Sequence, residues 1–181
     1  TTDPMVVVNE MLIPALDSAG KLFEQGKIFL PQLIQTAGVA QAAFEVIKTT
    51  LIQRDAAPVS RGEVVLATVK GDIHDIGKNI VRVLLENYGY TVLDLGKDVP
   101  CQLVADTAKE HNVKLVGLSA LMTTTLGAME ETIQLVKAAC PDCKVVVGGA
   151  VLTADYAEKI GADFYAKDAM ETVAVAKQVV G

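Results

Sequence analysis

Beyond residue 62 the chain alternates between short apolar runs and longer amphipathic stretches. The runs are EVVLATV (63–69), TVLDL (91–95), KLVGLS (114–119) and KVVVGG (144–149), with a weaker fifth, ADFYA (162–166). The first four are rich in β-branched residues and nearly continuous in hydrophobicity, as expected of strands buried on both faces. Helical stretches fall near residues 77–88, 101–111, 126–139, 153–160 and 169–180. Such alternation implies a parallel sheet, since parallel neighbours need a crossover and a helix is the usual one. Five units over residues 63–181 predict a flavodoxin-like, Rossmann-like α/β fold, with strand order 2-1-3-4-5 and helices on both faces. Ligands of that topology sit at the carboxyl ends of the strands, near the switch point between the first and third.

The first 54 residues have a different period. Leu12, Leu16, Ala19 and Phe23 recur every three or four positions, as do Leu33, Ile34, Ala37, Ala40, Ala43, Phe44 and Ile47. Gly26 breaks the pattern and Pro31 suits a helix start. The stretch QRDAAPVSRGE (53–63) is polar, with Pro and Gly. The organisation expected is a helical segment at 1–54, a linker at 55–62 and an α/β domain at 63–181.

Charge and composition exclude several functions. Lys and Arg total 16 against 22 Asp and Glu, a net charge of −6, which disfavours nucleic-acid binding. No apolar run reaches the roughly 18 residues of a membrane span. The amino terminus lacks the basic region of a signal peptide, so a cytoplasmic location is expected. Three cysteines make no disulfide framework. CPDC (140–143) has no second Cys or His pair nearby to complete about four zinc ligands, and Cys140 and Cys143 read as surface thiols. No P-loop or dinucleotide fingerprint is present.

The polar residues converge on one edge of this frame. Asp72, His74 and Asp75 follow the first strand, Ser119 and Thr123–Thr125 the third, and Gly148 and Gly149 the fourth. His74 is one of only two histidines. A neutral imidazole ligates a metal through one ring nitrogen when the other donates its proton to a partner. Asp72 is placed to accept that bond, and a hydroxyl after the third strand could extend the network. Gly71 and Gly77 would let the backbone approach a large flat group, and Gly148–Gly149 would leave a slot beside the sheet.

These pieces resemble a known family. DIHDIG (72–77), SAL (119–121) and GG (148–149) match the D-x-H-x-x-G, S-x-L and G-G signature of cobalamin-binding domains, and LFEQGKIFLPQL (22–33) resembles their helical cap. ATVKGDIHDIGKNIV, DLGKDVP, GLSALMTTT and YAKDA look most like the cobalamin module of methionine synthase, with the corrinoid proteins of methanol, methylamine and aryl-ether methyltransferases close behind. The resemblance implies that His74 becomes the lower cobalt ligand, in the base-off, histidine-on form. Asp72 would orient it and Thr125 would complete a triad, although relatives often carry serine there. Cobalt(III) keeps a lower ligand and cobalt(I) prefers none, so His74 would detach during turnover, eased by proton uptake in the triad. Ser119 and Thr123 would contact the nucleotide tail in the slot at Gly148 and Gly149, with Ala169 at its far end. Ile73, Asp75, Ile76, Leu121 and Met122 belong to the implied binding surface, beside Gly71 and Gly77. Phe23 and Leu30 would shield the methyl-bearing face of methylcobalamin or another B12 form.

By the same resemblance, the chain would carry a methyl group from methyltetrahydrofolate to homocysteine as a module of methionine synthase. Donor and acceptor steps would belong to other domains or partner methyltransferases, and a reactivation partner is compatible with this. Such caps usually have four helices, so the chain, opening without Met and with about two, is expected to be a fragment. The alternatives are a standalone corrinoid protein and a B12-dependent sensor, whose DNA-binding region is missing here. A flavin or phospho-signalling module would want a phosphate-cradling first loop, or an aspartate where Ser119 stands.

Overall fold

The computed structural model describes residues 4–52 and 60–181, apart from several side chains within the first segment. Residues 55–59 of the expected linker lie outside the described residues. The chain divides into two compact units, Thr1–Ser60 with Val83–Tyr90, and Arg61–Arg82 with Thr91–Gly181.

The first unit is helical. Helix α1 (Pro4–Val7) continues through a π-helical turn, Val8–Leu12, into α2 (Ile13–Glu24), and α3 (Leu30–Ile52) follows the turn at Gly26. Pro31 lies in the first turn of α3, where its missing N–H costs nothing. Leu16, Ala19, Leu33, Ala37, Ala40 and Ile47 are buried, following the three-to-four spacing of the sequence. Ile34 departs from that pattern and is exposed.

The second unit carries the sheet. Strands β1 (Glu63–Thr68), β2 (Thr91–Asp94), β3 (Leu115–Ser119), β4 (Lys144–Gly148) and β5 (Phe164–Tyr165) are all parallel, in the order β2-β1-β3-β4-β5. Between and after them run α4 (Ile76–Asn87), α5 (Cys101–Glu110), α6 (Leu126–Ala139), α7 (Ala154–Lys159) and α8 (Ala169–Val179). One face of the sheet presents Val65, Ala67, Val116, Leu118, Val145 and Val147 to α5, α6 and α7, and this is the main core. On the opposite face, register aligns Leu66 with Gly117 and Gly117 with Val146, and one row further on Thr68 with Ser119 and Ser119 with Gly148. Helix α8 opens with a reciprocal cap: Asp168 Oδ1 accepts the Glu171 N–H at 2.9 Å, and Glu171 accepts the Lys167 N–H at 2.8 Å.

One expectation is corrected. Cys140 and Cys143 are buried rather than at the surface, because only Pro141 and Asp142 of the CPDC turn face solvent. Both sulfurs pack into the core, Cys140 Sγ within 3.9 Å of the Val113 carbonyl. Burial above all pushes the Cys143 thiol up to about 12, which keeps it unreactive.

Candidate functional site

The carboxylate of Asp72 is the hub of the loop after β1, and it is wholly buried. Its Oδ1 accepts the backbone N–H of His74 at 3.0 Å and lies 2.8 Å from His74 Nδ1. Its Oδ2 accepts the N–H groups of Leu121 at 2.7 Å and Met122 at 3.2 Å, from the turn after β3. The Thr125 hydroxyl stands 3.2 Å from the same oxygen and 2.8 Å from the Met122 carbonyl, one proton facing two acceptors. Burial alone would raise the pKa of Asp72. The N–H groups of His74, Leu121 and Met122, together with the His74 ring, outweigh it and hold the carboxyl well below the usual carboxylate range.

An ionised carboxylate only accepts, so Nδ1 of His74 carries a proton toward it, and in the neutral imidazole that tautomer leaves the lone pair on Nε2. The His74 side chain is 46% exposed, whereas that of its partner is 0%. A half-exposed ring with one nitrogen committed to a buried anion has the support that a metal-ligating imidazole needs, and could hold a metal through the other.

Beside this loop a cavity of about 640 Å³ opens along the sheet. Leu66, Gly117 and Val146 form the deeper of its two floor rows; Ser119 and Gly148 belong to the upper one. Ser119 Oγ lies 2.9 Å from Thr68 Oγ1, which anchors it to β1. Val81 of α4 and Thr172 of α8 supply helical walls. Gly149 has φ +134°, and a Cβ there would lie 1.9 Å from the Ala120 carbonyl oxygen, so only glycine lets β3 and β4 leave the sheet this close together.

The sequence-predicted residues distribute as follows. Ile73, His74, Asp75, Ile76 and Gly77 line the cavity from the first loop, and Ser119 and Leu121 from the turn after β3. Gly148, Gly149 and Ala169 line it from the other side. Asp72 and Thr125 lie buried behind His74, while Met122 contributes its N–H to Asp72. Thr123 is exposed on the single turn Thr123–Thr125 and does not line the cavity, nor does Gly71. Phe23, near the end of α2, and Leu30, at the start of α3, are half-buried within the helical unit.

Some lining residues escaped the sequence reading. Gly117 carried a usable signal, a glycine inside an otherwise apolar strand, which marks a close approach. A Cβ on it would lie 2.6 Å from Leu66 Cδ2. Lys78 carried none, because its role depends on a partner far along the chain: its Nζ donates to Asp94 Oδ1 at 2.6 Å, with the lysine side chain 2% exposed.

The B12 binding domain family matches residues 62–174, and a second B12 binding domain family matches residues 1–48. This chain belongs to the B12-binding domain family. Similar proteins include dimethylamine corrinoid protein 1 of Methanosarcina acetivorans, 42% identical over 98% of this chain and 84% of that one. Trimethylamine corrinoid protein 1 of the same organism is 39% identical over 98% and 83%. Among solved structures, a cobalamin-binding protein from Desulfitobacterium hafniense DCB-2 has a TM-score of 0.79 and 37% identity, covering 92% of this chain and 78% of that chain. The methanol:cobalamin methyltransferase complex MtaBC from Methanosarcina barkeri has a TM-score of 0.82 and 30% identity, covering 98% and 68%.

The B12-binding assignment fixes the cofactor as cobalamin and the protein as a corrinoid module of methyltransferase systems. The site suits such a group. It has a long slot with glycines at its upper edge, and beside it a histidine whose free nitrogen is the one a metal needs. Among the described residues no cluster of three or more His, Cys, Asp or Glu could bind a bare ion, and no helix is long and apolar enough to cross a membrane.

Proposed function

We propose that this chain is a cytoplasmic corrinoid protein of the methylamine type, which carries a methyl group between partner methyltransferases. The Asp72–His74 contact carries the reading, because it leaves one lone pair, on Nε2, at the edge of the slot. The named relatives are corrinoid proteins for dimethylamine and trimethylamine, which favours the standalone corrinoid protein over the methionine synthase module that the motifs suggested.

Bound cobalamin supplies the metal centre that carries the methyl group. His74 would offer Nε2 to the cobalt, and Asp72 would hold the tautomer and the ring orientation. Leu121 and Met122 hold Asp72 through their N–H groups, so its other oxygen would stay available to the Nδ1 proton of His74 while the ring serves the cofactor. Thr125 steadies Asp72 from behind. Ser119, with Gly148, Gly149 and Ala169, would hold the displaced nucleotide tail in the slot. By the family resemblance, Phe23 and Leu30 of the helical unit would keep water from the bound cofactor.

The test is a visible absorption spectrum of the protein loaded with methylcobalamin and freed of excess, beside His74→Ala. A histidine-on spectrum in the wild type that is lost in the variant is expected. An unchanged spectrum in the variant would remove His74 from the mechanism. The donor class is tested by supplying partner methyltransferases for dimethylamine, trimethylamine or methanol in turn and following methylation of the bound cofactor. Methylation with a methylamine partner is the expected result.

A further inference from the structure

Besides the turn after β3, the loop that presents His74 is tied down by residues 95–100, between β2 and α5. Its backbone extends the parallel pairing past the end of β1. The Thr68 N–H donates to the Gly96 carbonyl at 2.9 Å, the Val99 N–H to the Thr68 carbonyl at 3.1 Å, and Val69 bridges to Val99. Asp98 then makes two contacts of a different kind. Its N–H donates to the Asp72 carbonyl at 2.9 Å, and its carboxylate Oδ1 accepts the Gly71 N–H at 2.7 Å. Both residues have left-handed backbones, Gly71 at φ +84° and Asp98 at φ +53°. Aspartate is one of the few side chains that tolerates this conformation.

The same connection grips the other side of the histidine. Asp94, at the end of β2, accepts the Gly96 N–H at 2.9 Å and the Lys78 ammonium at 2.6 Å. Lys78 is four residues beyond His74, in the first turn of α4. The segment from Gly71 to Lys78 is therefore held before and after the imidazole.

We propose that Asp98 is a positioning residue for His74. By holding the Gly71–Asp72 stretch at both a carbonyl and an N–H, it keeps the Asp72 carboxylate turned toward the ring before any metal arrives. The inference rests on the reading of His74 as the lower ligand. Its physical basis is pre-organisation. Asp72 reaches Nδ1 and the His74 N–H with one oxygen, so rotation of the backbone at 71–72 would remove both bonds together. A ring that must be re-oriented at each ligation binds less firmly, and loss of such a supporting contact typically lowers metal affinity by 10–100-fold. Because Asp98 is exposed and water competes for its bonds, the low end of that range applies.

The experiment measures the ratio of histidine-on to histidine-off methylcobalamin in the loaded protein, by visible absorption, for Asp98→Gly, Asp98→Ala and Asp98→Asn. Asp98→Gly keeps the left-handed backbone and loses only the carboxylate, so it stands in if the alanine variant folds poorly. About a tenfold fall in the ratio is expected for Gly and Ala. Asp98→Asn, which keeps an oxygen acceptor and tolerates the same φ, should stay within about twofold of wild type. A wild-type ratio in Asp98→Gly would overturn the inference, as would a lowered melting temperature with an unchanged spectrum. Either result would leave His74 as ligand intact. Only an unchanged spectrum in His74→Ala would sink both.

Discussion

Asp72 shows how much a single buried side chain can organise. Three backbone N–H groups, one imidazole and one hydroxyl converge on its two oxygens. Asp72→Ala removes the acceptor and leaves those donors facing an apolar methyl group, at about 1–3 kcal/mol for each that finds no water. Urea titration of the apoprotein should register a loss of about 3 kcal/mol or more, and the loaded protein should lose its histidine-on spectrum. Thr125→Ser keeps the donor and should change the unfolding midpoint little, whereas Thr125→Ala should cost about 1 kcal/mol. The His74–Asp72 relation was legible in the sequence because it is local, two positions apart on one loop. The roles of Lys78 and Asp98 were not. They depend on contacts 16 and 27 residues away and on a positive φ that no sequence pattern announces.

At the scale of elements, the strands and helices of the α/β unit follow the sequence closely, because apolar runs and turn residues there punctuate each other without ambiguity. The third helix, expected at 126–139, runs Leu126–Ala139, and the strand expected at 114–119 runs Leu115–Ser119. The weak fifth run shrinks to Phe164–Tyr165, its apolar stretch being cut short by Asp163. The cysteine turn was misread for a physical reason: CPDC has a polar centre, and the thiols at its ends are small enough to turn inward against β3 and β4. The layer they join is well filled, with Met129 of α6 fully buried among α5 and the sheet. Met129→Ala should cost about 2–5 kcal/mol in chemical denaturation.

For the molecule as a whole, two partly buried carboxylates outside the site join Asp72 in setting its behaviour in acid. Burial would raise Asp94, but Lys78, the Gly96 N–H and Arg82 together lower it. Asp163 is likewise lowered, its burial outweighed by the Val145 N–H with Lys144 and Lys137. A carboxyl whose folded pKa lies below its unfolded value of about 3.9 contributes its full stability above that value, and the contribution fades as pH falls through the folded pKa. Urea midpoints measured in steps from pH 6 downward should hold steady to about pH 4.5 and then drop. Asp163→Asn should flatten that drop. A midpoint independent of pH below 4 would contradict the assignment.

Gly149 has a consequence for how far such a chain can drift. The added atom of even the smallest side chain would sit 1.9 Å from a peptide oxygen, and that oxygen belongs to the backbone of Ala120, which no change of rotamer can move. Substitution at this position is therefore not a matter of degree. A randomised library at codon 149, sorted for retention of a red corrinoid, should return one amino acid. Any distant relative that carries another residue there must have parted its third and fourth strands, and with them the slot.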